Sequence, residues 1–385
     1  MVAYTEYAGD ARVRREAETL AAHGFRVRCL TTRNTDGPTR YTLDDVEINE
    51  LREPKYRGKS TGAYLASYFR FLVAATARCL RLMMRGELDV VHAHNMPDFL
   101  VLAGLMPRLA GRKVVLDVHD SMPETFSAKF SDARLVGKAL SLEERLSAFV
   151  AHRVICVNHP QRDVLVGRGI PKSKTFVSMN VPDHRLFGAP AAHVHRSPDS
   201  PLNLVYHGTM AARLGVDLVI RALASVKADV PAVRLHLWGR GDDLAGFQRL
   251  ARELGIDDRI DFNDQGYPLR ELPVRLAAMD IGVVGNRKSA AGDLMLPVKL
   301  LEYVSLGIPA VVPRLKSIAH YFSDDMVTFY EPENVASMAK AIVCLHRDPS
   351  RRREQATRAQ TFLTSHGWER QGEDLVTMYE ELLET

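Results

Sequence analysis

The chain has 385 residues, 46% of them apolar and 25% charged, with a net charge of +4 at neutral pH. That length implies two domains of a globular protein, and so small a charge, spread along the chain, excludes nucleic acid as a principal partner. Cys29, Cys79, Cys156 and Cys344 are scattered without a Cys-x-x-Cys pair, indicating neither a zinc site nor a disulfide framework. No run reaches the 18 or so apolar residues of a spanning helix and no signal peptide precedes Val2, so a cytoplasmic location is expected.

In chain order, short apolar runs alternate with helix-length periodic segments. The first half predicts strands at Val2–Tyr7, Arg26–Leu30, Leu88–Val91, Lys113–Val118, Arg153–Val157 and Thr175–Met179, with helices at Arg12–His23 and Ser141–Val150. Tyr64–Arg85 is a long helix in which Arg70, Arg78, Arg81 and Arg85 fall within about 80° of one face, at 100° per residue. It reads either as an ordinary helix packed on a sheet or as a docking face for anionic lipid. Residues 184–201, HRLFGAPAAHVHRSPDSP, carry three prolines and no periodicity and read as a linker.

The second half predicts strands at Asn203–Tyr206, Val233–Trp238, Arg259–Phe262, Ile281–Val284, Ala310–Val312 and Met326–Phe329. Helices are expected at Val216–Val226, Leu244–Leu254, Leu272–Met279 and Trp368–Leu383. Repeated βαβ units mean parallel sheets covered by helices on both faces. The expected architecture is α/β, two doubly wound Rossmann-like domains facing across a cleft. Their spans are 1–185 and 202–365, with a linker at 186–201 and a terminal helix at 366–385.

The most informative segment is residues 292–309, GDLMLPVKLLEYVSLGIP. Pro297 suits a first helical turn, Gly307 a left-handed stop, and Pro309 forbids continuation. Lys299 and Glu302, three apart, share one face of that helix. A helix N-terminus with a lysine suits a phosphate, and Glu302 suits the vicinal hydroxyls of a ribose.

This segment resembles the nucleotide-sugar signature of family-4 retaining glycosyltransferases with the GT-B fold, in the branch reading L-P-x-K-L-x-E-Y followed by G-x-P. The family's Glu-x7-Glu has its second Glu at Glu302, whereas its first falls on Leu294, beside Asp293. The resemblance implies donor contacts from Asp293, Leu296, Pro297, Val298 and Glu302. In 206–224, YHGTMAARLGVDLVIRALA, the family's usual cations fall on Thr209 and Leu214, and Arg213 stands next to the second, as in a G-T-x-x-x-R-x-G branch. Arg213 and Lys299 are therefore expected to neutralise the leaving diphosphate.

The same resemblance gives His119, in a D-x-H-D pattern after the strand Val114–Val118, a place beside the reacting carbon of the sugar. It gives Gly9 a close backbone approach to donor or acceptor. Gly239 borders the nucleotide, and the loop at Gly266 and Tyr267 holds the base through its backbone. The third glycine of a dinucleotide fingerprint is replaced by Leu244, which disfavours a Rossmann dehydrogenase. His92 and His94 read as loop-shaping or acceptor-facing, Asp10 as a helix N-cap, and Asn180–Asp183 as a hinge.

The resulting expectation is a retaining glycosyltransferase acting in polysaccharide or glycolipid synthesis, moving a sugar from a nucleotide-diphosphate sugar to a glycan or polyprenyl-linked acceptor. No metal or other cofactor is expected, since Asp242 and Asp243 are adjacent rather than spaced as an Asp-x-Asp element. Peripheral membrane contact through residues 64–85 would place it at the inner face of the membrane. Two alternatives stay open, a nucleotide-sugar epimerase of the same architecture and a non-catalytic protein that binds nucleotide sugar as part of a larger assembly.

Overall fold

A computed structural model describes residues 1–33, 37–56, 58, 60–127, 134–188 and 201–384. They form two compact units, one of Met1–Asn180 with the residues from Glu369 onward, the other of Val181–Trp368. The chain passes between these units at 180/181 and at 368/369. Residues 189–200 of the expected linker lie outside the described residues, and its start is helical.

In the first unit β1 (Val2–Ala3) leads through a 3-10 turn at Tyr7–Gly9 to α1 (Ala11–Ala22). Then come β2 (Arg28–Arg33), β3 (Arg40–Leu43), β4 (Val46–Pro54), α2 (Thr61–Met84) and β5 (Val90–His94). A 3-10 segment, Asp98–Gly104, runs into α3 (Leu105–Leu109), followed by β6 (Lys113–Val118), α4 (Met122–Ser127) and α5 (Arg134–Val150). β7 (Arg153–Cys156), α6 (His159–Gly167) and β8 (Thr175–Val177) complete it. The sheet order is β3-β4-β2-β1-β5-β6-β7-β8, parallel except for the β3–β4 pair.

That antiparallel pair corrects the expectation of a purely parallel sheet. Both strands are rich in polar residues, and their turn is built on Asp44 and Asp45 at φ 51° and 60°. A two-residue hairpin of type I′ needs positive φ at both positions, which Asn-Gly or Asp-Gly usually announces; Asp-Asp gives a weaker signal. β1 is shorter than expected because Thr5 turns back on Ala3 (N–H to O, 2.8 Å). Tyr4 instead packs edge-on against Tyr68 and Phe71 of α2, at 4.5 and 5.3 Å between ring centroids.

The second unit begins with α7 (His184–Phe187), capped by Asp183, then β9 (Asn203–His207), α8 (Val216–Asp229), β10 (Arg234–Trp238) and α9 (Leu244–Glu253). β11 (Ile260–Asn263), α10 (Leu272–Leu276), β12 (Ile281–Val283), α11 (Ala290–Leu294) and α12 (Val298–Ser305) follow. The unit closes with β13 (Ala310–Pro313), α13 (Lys316–Tyr321), β14 (Thr328–Tyr330), α14 (Val335–Arg347) and α15 (Pro349–His366). Its sheet, β11-β10-β9-β12-β13-β14, is parallel throughout.

α16 (Trp368–Glu384) returns to the first unit, where the Gln371 side chain accepts the Met179 amide and the Tyr379 hydroxyl lies 2.7 Å from His92 Nδ1. Both sheets reverse strand order beside their first strand, β1/β5 in one and β9/β12 in the other. Ligands of open α/β sheets bind at the carboxyl ends of strands at such switch points.

Candidate functional site

In the second unit the switch point is assembled by glycines. Gly208, Gly239 and Gly266 follow β9, β10 and β11 at φ 104°, 147° and 67°. A Cβ on Gly239 would lie 1.8 Å from the Gly208 carbonyl oxygen, and one on Gly215 2.0 Å from that of Gly285. No other residue permits this approach. Gly239 is thus required by the packing of the loops themselves.

α12 starts at the edge of this crevice. Pro297 is its N-cap (φ −66°, ψ 124°), one residue before the first-turn position expected, and Gly307 takes the left-handed φ of 70° behind its C-cap, Leu306. Pro297 is buried, with Leu296 and Val298 half-buried around it. Lys299, in the first turn, lays its Nζ 3.5 Å from the centroid of the Tyr206 ring. That Nζ is buried and has no hydrogen-bond partner among the described residues.

Burial pulls the Lys299 pKa down to about 7, with the nearby Arg213 guanidinium acting in the same direction against Glu302. Burial likewise pushes Glu302 up to about 7, opposed by Lys299. His207, at the end of β9, has its Nε2 3.2 Å from Glu302 Oε2, and burial with the Lys299 charge holds it down to about 3, so it is neutral. A buried amine with no partner is stabilised by an anion that supplies one.

Arg213 is exposed in a 3-10 turn, Ala212–Leu214, near enough for its charge to act on Lys299. Arg287 braces that turn, donating from Nε to the Ala212 carbonyl at 3.0 Å while pairing with Asp217 at 2.6 Å. Asp293 Oδ1 accepts the Lys316 amide at 3.2 Å at the start of α13. Tyr267 lies under the Arg275 guanidinium (4.9 Å) and edge-on to Trp238 (4.9 Å), lining a pocket of about 700 Å³.

Sequence reasoning missed Tyr206, His207 and Asn286. Asn286 is buried just past β12, donates to Met295 Sδ at 3.1 Å and leaves its Oδ1 without a partner among the described residues. Its signal was a polar residue directly after an apolar strand.

In the first unit the switch point holds a pocket of about 210 Å³ lined by Asp10, Tyr64, His94, Asn95 and His119, among others. Asp10 caps α1 as expected, accepting the Val13 amide at 3.2 Å. Gly9 is exposed, and a Cβ there would meet nothing within 4 Å, so the protein's own packing does not demand glycine. His119 is fixed at its backbone by Asn95 Oδ1 (2.8 Å) and at Nε2 by Asp117 Oδ2 (2.7 Å).

Asp117 is fully buried and takes a bidentate grip from Arg12, 2.8 Å at each oxygen. Burial alone would raise its pKa; Arg12 and His119 hold it well below the carboxylate range instead. Burial also opposes a charge on His119, and the Asp117 carboxylate outweighs it, raising the imidazole pKa.

His92 and His94 correct the loop-shaping reading, since both are buried on β5 with rings stacked at 4.1 Å. Glu16, His92, His94 and Asp117 bring ligand atoms within 4.8 Å of one another, as a metal site would. The Arg12 guanidinium already bridges both carboxylates, at 3.1 Å to Glu16 and 2.8 Å to Asp117, and supplies the charge a cation would bring.

Two α/β units with largely parallel sheets, one with a buried lysine at a helix start, define a two-domain protein of the kind whose sheets carry ligands at strand ends. The chain belongs to the group 1 glycosyltransferases: residues 9–180 match the Glycosyl transferase 4-like domain and residues 201–348 the Glycosyl transferases group 1 domain. It is 31% identical over 145 residues, 37% of its length, to a GDP-mannose-dependent alpha-(1-6)-phosphatidylinositol monomannoside mannosyltransferase of Mycolicibacterium smegmatis. Over 71% of its length it is 26% identical to a component of the phosphatidylinositol N-acetylglucosaminyltransferase of Arabidopsis thaliana. The matches span 38% and 59% of those two proteins. Sucrose-phosphate synthase from Thermosynechococcus elongatus shares the fold at 18% identity, with a TM-score of 0.79 over 99% of this chain and 98% of that one.

Proposed function

We propose that the chain is a retaining glycosyltransferase that moves a sugar from a nucleotide-diphosphate sugar to a glycan or lipid-linked acceptor, without a metal ion. The observation that carries this reading is the buried Lys299 Nζ at the start of α12, without a hydrogen-bond partner among the described residues and under the charge of Arg213. As the diphosphate departs, charge grows on its oxygens while the sugar becomes oxocarbenium-like. Lys299, Arg213 and the first N–H groups of α12 stabilise that charge from fixed positions. Glu302 accepts hydrogen bonds from the ribose. His119, its Nε2 engaged by Asp117, presents its remaining ring nitrogen to the sugar. In this reading the leaving phosphate assists substitution on the same face of the sugar, and no carboxylate nucleophile is invoked.

A lipid-linked acceptor accords with the phosphatidylinositol in the names of both relatives, and the peripheral contact through residues 64–85 belongs to the same reading. Thermal stabilisation by a panel of nucleotide sugars tests the donor, since a ligand at about 100 times its Kd adds about 2.7 kcal/mol. Turnover with the stabilising donor then separates transfer from epimerisation and from binding alone. Stabilisation by none of the panel would remove the reading.

A further inference from the structure

Seventeen large apolar side chains are exposed among the described residues, and fourteen of them lie on three neighbouring elements of the first unit: α2, the 3-10 segment with α3, and α5. From β4 to β7 each crossover moves in the same direction across the sheet. Right-handed connections therefore place these three elements side by side on one face. On α5, Leu135, Leu142, Leu146 and Phe149 form a single outward stripe, spanning about 60° at 100° per residue. Their exposures are 82, 55, 59 and 72%. Leu109 of α3 and Met84 of α2 are each 74% exposed. Monomeric surfaces scatter such residues singly, so a concentration on one face marks an interaction site.

The exposed charges on α2 and bordering the α5 stripe are cations, while the carboxylates at the margin, Glu53 and Asp89, pair with Arg70 and Arg112. Lys138 and Arg145 border the α5 stripe, Arg81 and Arg85 are exposed at the end of α2, and Lys174 Nζ lies 5.8 Å from the Phe149 ring. α2 has no acidic residue, Asp98 and Glu144 are buried, and Glu143 Oε2 is buried too. A second copy docking by twofold symmetry would set cations against cations. No described helix is long and apolar enough to cross a bilayer, so the face suits lying on one.

We infer that the α2–α3–α5 face is a peripheral docking surface for an anionic phospholipid bilayer, with apolar side chains in the interfacial region and cations at the headgroups. It deepens the reading of a lipid-linked acceptor and rests on that reading for its purpose. α3 and α5 extend the surface well beyond residues 64–85.

Flotation with vesicles tests it, comparing pure phosphatidylcholine with the same lipid containing phosphatidylglycerol. The chain should float with the anionic vesicles alone, and added salt should weaken the binding. Leu135→Glu with Leu142→Glu should lower partitioning at least tenfold, and Lys138→Glu or Arg145→Glu by about fivefold each. Leu383→Glu, at an exposed apolar site on α16 and outside these three elements, should change nothing. Affinity for a nucleoside diphosphate, measured on the same variants, should stay at the wild-type value and reports that they are folded. Wild-type protein that binds the nucleotide but neither vesicle overturns the surface and leaves the glycosyltransferase reading standing. Vesicle binding without nucleotide binding does the reverse. Dimerisation abolished by the α5 variants, with no vesicle binding, would assign the face to a second copy and overturn the proposal.

Discussion

Asp117 Oδ2 lies 2.7 Å from His119 Nε2, so the histidine that lines the pocket at the β1/β5 switch point is held by a buried carboxylate two residues before it on the chain. Because Arg12 keeps that carboxylate ionised, the pair sets both the ring orientation of His119 and its affinity for a proton.

Asp117→Asn should therefore lower turnover by about tenfold or more, a loss of about 1.4 kcal/mol in barrier terms. The direction of the titration is the sharper check. Asp117 raises the His119 pKa, so the amide variant should titrate at lower pH, read from the ring protons by NMR. An unmoved His119 titration would mean that Asp117 serves the fold alone.

Lys299→Ala and Arg213→Ala should each cost about 10²-fold in turnover, the usual loss for a group aimed at developing charge. Arg213 is exposed, so its removal should leave thermal stability nearly unchanged. Turnover like that of the wild type in both variants would remove the diphosphate site from α12.

Binding of a nucleoside diphosphate should take up protons at pH 8. Free Lys299 has its pKa pulled down to about 7 and is mostly neutral there, and an arriving anion favours the charged amine. Glu302, raised only to about 7, is already ionised and contributes little. Affinity should thus fall as pH rises above about 7, and calorimetry in buffers of different ionisation enthalpy should count the proton. Lys299→Arg should abolish the uptake, because guanidinium stays charged throughout.

Glu302→Gln should weaken binding of the nucleoside diphosphate more than it weakens folding. The uncharged amide removes an acceptor for the ribose while keeping the volume beside His207, which lies 3.2 Å from the carboxylate. Equal affinity in calorimetry would make Glu302 a partner of His207 and nothing more.

Transfer should persist in excess EDTA, because Lys299, Arg213 and the start of α12 carry the charge that a divalent ion would otherwise supply. Activity lost to the chelator and restored by Mg²⁺ would replace this mechanism with a metal-dependent one.

The amino-acid sequence alone determined the alternation of buried strands and helices, because an apolar run of five residues or a 3.6-residue period announces itself locally. For the same reason it determined α12, with Pro297 and Gly307 at its ends and Lys299 and Glu302 on one face. The β3–β4 hairpin stayed hidden, since its strands carry many polar residues and Asp44–Asp45 is an unusual turn pair. Only tertiary structure decided that Tyr206 lies beneath the Lys299 ammonium, that His207 meets Glu302, and that Arg12 reaches Asp117 across 105 residues. Burial decided the rest. Each of these groups is polar and ordinary in the sequence, and its protonation and its need for a partner arise only when the fold removes water from it.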